Sequence, residues 1–104
     1  MSEVDLVELK KKFQGEIDQA DWEMLAPHHE RQTLFKVSRD LDIFDVAIDL
    51  AIDNVDEVKK YLESNQLTRL DDDEVLEYAK NKNKFFANFL VIQPYVIFQE
   101  YSSN

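Results

Sequence analysis

The sequence predicts an α+β fold: about five helices packed on a small, mostly antiparallel sheet of three to four strands, with a long C-terminal strand bent near Pro94. Three observations carry this. Residues 85–101, F-F-A-N-F-L-V-I-Q-P-Y-V-I-F-Q-E-Y, hold four of the seven phenylalanines and a single charge, Glu100. β-favouring apolar residues at that density read as strand buried on both faces. The chain upstream is acidic and shows helical spacing of its apolar residues. One glycine and two prolines in 104 residues leave few tight turns and little linker, which predicts a single domain over 1–104.

The terminal run is too long for one straight strand. At ~3.3 Å per residue it would reach about 56 Å, against a diameter of roughly 33 Å for a compact chain of this length. Pro94 marks the break, since it donates no hydrogen bond to a ladder. Gln93-Pro94 lacks the Asn-Gly, Asp-Gly or Gly-first chemistry of the favoured two-residue hairpins. The expectation is therefore a bent or bulged strand, 86–92 then 95–101, whose second half leaves the first sheet or pairs with another subunit.

The remaining elements follow in order. Residues 4–17 carry Leu6, Leu9, Phe13 and Ile17 at helical spacing, with Ser2 able to cap the start and Gly15 near the exit. Asp21 precedes a short second helix in which Trp22 and Leu25 share a face and Pro27 can kink the chain. Residues 33–39 alternate Phe35 and Val37 against Leu34, Lys36 and Ser38, a half-buried strand. Residues 40–53 form the clearest helix, apolar around most of its circumference, with Asp42, Asp45, Asp49 and Asp53 on a stripe about 80° wide at ~100° per residue. Asn54-x-x-Glu57 reads as a capping-box variant opening a fourth helix, Val55–Glu63, with Val55, Val58, Tyr61 and Leu62 inward. Asn65 suits a left-handed C-cap. Residues 66–70 are a short second strand. Asp71-x-x-Glu74 caps a helix over 72–81 that points Val75, Leu76, Tyr78 and Ala79 at the core.

Composition excludes several functions. A net charge of −10, from 22 acids against 12 bases, repels phosphate backbones and argues against direct nucleic-acid binding. The absence of cysteine excludes disulfides, thiolate zinc sites and Cys nucleophiles. The opening residues, M-S-E-V-D-L-V-E, lack the positive start and apolar core expected of a signal peptide, and the longest uncharged apolar run is too short to span a membrane as a helix. A cytoplasmic location is expected, with no membrane association.

Candidate chemistry is sparse. Helix carboxylates at i, i+3 or i+4 can jointly hold a hard divalent cation, so Asp42, Asp45 and Asp49, with His28, are the candidate metal ligands. An acidic stripe is equally what a solvated helix edge looks like in so acidic a protein. His28 and His29 are adjacent, ~100° apart on a helix, and poorly placed to share a metal. The Asp71-Asp72-Asp73 cluster is explained by helix capping. No glycine-rich phosphate loop, nucleophile elbow or cofactor motif is present, and no catalytic residue or cofactor is assigned. Gln99-Glu100, a polar pair closing a buried strand, is either an exit to solvent or a hydrogen-bonding rim.

Several motifs together resemble a known family. They are D-W-E-M-L (residues 21–25) with His28 beyond it, L-D-I-F-D-V-A (41–47), A-I-D-N (51–54), V-K-K-Y-L (58–62), L-T-R-L-D-D-D-E (67–74) and P-Y-V-I-F-Q-E (94–100). The chain resembles the bacterial domain of unknown function 2288 family over roughly residues 16–100. That family favours tryptophan near 61, 78 and 95, where this chain has tyrosine, and near 86, where it has Phe86; an aromatic is kept at each place. The resemblance implies a small stand-alone bacterial protein and brings no activity or catalytic residues. The sequence is therefore read first as a non-enzymatic protein-interaction or regulatory module, a possible homodimer through Phe89, Tyr95, Phe98 and Tyr101. The alternatives are a small metal-dependent enzyme or metal-binding protein using the helix carboxylates and an acidic nucleic-acid mimic.

Overall fold

The structure, a computed structural model, describes residues 3–101; the expected cap at Ser2 lies outside them. Along the chain run α1 (Glu3–Glu16), β1 (Asp18–Ala20), α2 (Trp22–Glu30), β2 (Leu34–Val37), α3 (Ile43–Ala51), α4 (Val55–Glu63), β3 (Leu67–Thr68), α5 (Asp72–Lys80), a 3₁₀ turn (Lys82–Lys84), β4 (Ala87–Ile92) and β5 (Tyr95–Glu100). The class and the order of helices match the sequence reading. The sheet has five strands, one more than expected, because the three-residue β1 is too short to leave a periodic signal.

Side-chain caps set most helix starts. Asp21 accepts from the Met24 N–H at 2.9 Å and Asp42 from the Phe44 N–H at 2.9 Å. Asp71 and Glu74 complete a reciprocal capping box at the start of α5. The box expected at Asn54 does not form: the helix does begin after it, but its side chain donates to Asp49 Oδ1 at 3.2 Å. The chain turns there at Asp53, in left-handed conformation with φ 56°, and Asn65 takes the same region with φ 60° just past α4. α3 starts at Ile43 rather than at residue 40, since Asp42 is its cap and lies outside the helical turn.

The sheet order is β1-β4-β5-β2-β3. β4 and β5 form an antiparallel hairpin whose last pair is Ile92 with Tyr95, so the terminal run folds back on itself within the chain. This corrects the bent-strand expectation. The two-residue connection carries a cis Gln93-Pro94 peptide, with the proline in the third place of the turn, a turn class outside the glycine-dependent hairpins. The length argument for pairing with another subunit goes with it. β2 runs parallel to β5, and every other pairing is antiparallel. Both edge strands are very short, which limits edge-to-edge association.

Helices cover both faces of the sheet. On one face α1 and α3 bury Phe13, Ile43, Val46 and Ala47 against Val37, Leu90, Ile92 and Ile97. On the other, Trp22 and Leu25 of α2, Tyr78 of α5 and Phe85, just ahead of β4, cover Leu34, Val96 and Phe98. Val96, Ile97 and Phe98 are successive residues and all are buried, as the density of apolar residues predicted. β2 is buried on both faces too, with Leu34 and Val37 each 1 % exposed, so the half-buried reading of that strand is corrected. The parallel partner β5 places β2 inside the sheet, where alternation gives way to continuous burial.

α4 and α5 are more loosely seated than their patterns implied. Val55, Leu62 and Leu76, expected inward, are 68 %, 45 % and 58 % exposed. α4 lies above β3, whose two residues offer too little floor for a nine-residue helix.

Candidate functional site

The loose seating of α4 leaves a groove. It has a volume of about 260 Å³ and lies between α3, α4 and the α1/α3 face of the sheet. Leu50 of α3, Val55, Val58 and Leu62 of α4, and Phe35 and Tyr95 of the sheet line it. Phe35 and Tyr95 meet edge to face at 5.7 Å between ring centres. Asp49 and Asp53 stand on its wall.

Asp49 also ties the α3–α4 corner together. The Tyr61 hydroxyl donates to its Oδ2 at 2.6 Å and Asn54 donates to Oδ1. Burial, and then the hydrogen bond to the Asp49 carboxylate, push the Tyr61 pKa well above its ordinary value, so the phenol remains a donor at neutral pH.

The candidate metal ligands are dispersed. Asp42 is the α3 cap and pairs with Lys10 at 3.7 Å. Asp49 is held by Tyr61 and Asn54, and Asp53 lies beyond the helix end. Only Asp45 and Asp49 remain together on α3, i and i+4 apart. His28 sits in the last turn of α2, whose buried residues pack on the opposite face of the sheet from α3. Among the described residues no three His, Asp or Glu side chains converge in an arrangement fit for a metal ion.

The candidate interface residues also separate. Phe98 is fully buried in the α2/α5 core and Phe89 packs partly against the same cluster. Tyr95, 38 % exposed, lines the groove. Tyr101, 37 % exposed, stacks on Phe86 at the far end of the hairpin with 6.3 Å between ring centres.

A second concave site was not anticipated. On the α2/α5 face, where the C-terminal ends of the parallel strands β2 and β5 lie side by side, an open depression of about 460 Å³ is lined by Lys36, Arg39, Thr68, Glu74 and Glu100. Lys36 donates to Glu74 Oε2 at 3.1 Å, and its ammonium lies 5.6 Å from the Tyr78 ring centre. Arg39 reaches Glu100 Oε2 at 3.5 Å. Glu100 Oε1 is buried without a hydrogen-bond partner. Burial first, and then the Glu100 carboxylate, push the Tyr78 phenol well above its ordinary pKa. Gln99 donates to the Ser38 and Leu41 carbonyls at 2.8 and 2.6 Å, pinning the β2–α3 loop beside this depression. Of the polar pair Gln99-Glu100, Gln99 thus forms a hydrogen-bonding rim, while Glu100 pairs with Arg39. Two signals were available, the odd polar pair Gln99-Glu100 and Lys36, a charge on the same strand face as the buried Leu34.

Fold and sites define a small α+β protein with helices on both sheet faces, an apolar groove on one face and a charged depression on the other. The chain matches the family described as "Protein of unknown function (DUF2288)" over residues 8–100 and belongs to it. PA1075 from Pseudomonas aeruginosa, whose solution structure was determined by NMR, is similar at 27 % identity, with 92 % of this chain and 87 % of that chain covered and a TM-score of 0.76. No curated protein matches. Among the described residues no helix is long and apolar enough to cross a membrane.

Proposed function

We propose that this protein is an interaction module whose α3–α4 groove receives a basic amphipathic segment of a partner protein. The observation that carries the reading is the convergence of Val55, Leu62 and Tyr95, all exposed, on one apolar groove walled by Asp49 and Asp53. Apolar side chains of the partner would fill the groove, and lysines or arginines beside them would meet the carboxylates, the mode by which amphipathic helices dock in grooves. Charge selects the partner. A second copy of this chain would set −10 against −10, whereas a basic segment is drawn in by the same field.

The test uses a synthetic amphipathic peptide of leucine and lysine, titrated into isotope-labelled protein and followed by NMR. Saturable shifts at Leu50, Val58, Leu62 and Tyr95 are expected, weakened several-fold in the double variant Val55→Gln, Leu62→Gln and absent with a leucine–glutamate peptide of the same apolar face. Shifts spread over the acidic surface and indifferent to the double variant would sink the proposal. So would a homodimer in native mass spectrometry that the double variant dissociates, because a second copy would then be the occupant.

A further inference from the structure

The charged depression on the opposite face, independent of the groove, has the makings of a ligand site. Its four ionic groups balance, two cations (Lys36, Arg39) against two anions (Glu74, Glu100). They are not equally engaged. Glu74 is used twice, its Oε1 in the capping box with the Asp71 N–H at 3.3 Å and its Oε2 by Lys36 at 3.1 Å. Arg39 and Glu100 form the looser pair: their contact is 3.5 Å, the Arg39 side chain is 62 % exposed, and Glu100 Oε1 has no donor. A buried carboxylate oxygen without a donor forgoes a charge-assisted hydrogen bond and keeps the cost of its lost water. The guanidinium opposite is a fork of five N–H donors suited to a carboxylate.

A plain cation would be repelled by Lys36 and Arg39. A plain anion would meet Glu74 and Glu100 as well as the −10 field of the whole chain. A molecule that carries both charges a few ångströms apart escapes both objections. We propose that the depression binds a free α-amino acid, its ammonium donating to Glu100 and its carboxylate held by Arg39. The ligand inserts into the loose ion pair and keeps the charges alternating: guanidinium, carboxylate, ammonium, carboxylate. Its side chain would extend toward Thr68, Lys36 and Glu74, whose polarity favours a polar amino acid.

The experiment is an NMR titration of the full chain with each free proteinogenic L-amino acid in turn, up to about 10 mM, beyond the range of weak millimolar binding. At least one should produce saturable shifts at the Ser38, Arg39 and Glu100 amides. N-acetylation or carboxyl amidation of that amino acid should abolish them. Arg39→Met and Glu100→Gln should each weaken binding about tenfold or more, as expected for loss of a charge-assisted hydrogen bond. Arg39 is exposed, so its variant remains a fair test should Glu100→Gln fail to fold. No shift with any amino acid would overturn the proposal. Equal shifts from simple amines without a carboxylate, or from carboxylates without an amine, would overturn it as well.

Discussion

The two faces of the sheet bury the same number of core residues, nine in each cluster among the described residues, yet they finish differently. The α2/α5 face is closed by rings. Trp22, Tyr78, Phe85 and Phe98 meet at centroid distances from 4.7 to 6.3 Å, mostly tilted or edge to face. The α1/α3 face is packed chiefly by aliphatic side chains, and its third helix, α4, overhangs a two-residue strand. Apolar content alone does not seal a face. What decides is whether the covering helix has sheet beneath its whole length, and where it does not, apolar side chains remain open for another molecule.

The comparison can be broken hardest at the closed face. Phe98→Ala should lower unfolding free energy by about 3–5 kcal/mol, the usual cost of emptying a buried aromatic site. That is a large part of the roughly 5–15 kcal/mol that holds such a domain together, and a denaturant melt would measure it. A loss below about 1 kcal/mol would mean that the ring cluster does not close the core.

Alkaline pH probes one phenol on each face. Tyr61 and Tyr78 hold their protons above the ordinary tyrosine value of 10.0. The unfolded chain therefore ionises first. Their contribution to stability is complete below about pH 10 and declines as the pH rises toward their folded values. Stability measured from neutral to alkaline pH should fall above that point, and less steeply in Tyr61→Phe or Tyr78→Phe. An unchanged slope in both variants would contradict the geometry around Asp49 and Glu100.

Smaller effects are expected at the helix ends and on the open face. Asp71→Ala removes the α5 capping box and should cost about 1 kcal/mol by thermal or chemical melt. It should also loosen Glu74, and with it Lys36, in the charged depression. Leu62→Ser, at a side chain 45 % exposed, should change stability by no more than about 0.5 kcal/mol. The same substitution should weaken peptide binding in the groove. A stability loss of several kcal/mol there would show that Leu62 belongs to the core and that no open groove exists.

How much of this was legible beforehand depended on the range of the interactions involved. The sequence by itself determined the α+β class, the order of the helices, the capping box at Asp71 and the double-sided burial of β5. Each of these is written in residues a few positions apart, through periodicity, side-chain reach to a nearby N–H, or the density of β-branched and aromatic residues. Tertiary structure alone decided the three-residue β1, the parallel pairing of β2 with β5 and the hairpin at Pro94. It also decided that Val55 and Leu62, on the apolar side of α4, would stay open. Both sites belong with these. Lys36 meets Glu74 across 38 residues, Gln99 reaches Ser38 across 61, and the groove joins α3 and α4 to a tyrosine of the last strand. Contacts at such separations leave no local pattern in the chain, because they exist only once the sheet has brought its strands side by side.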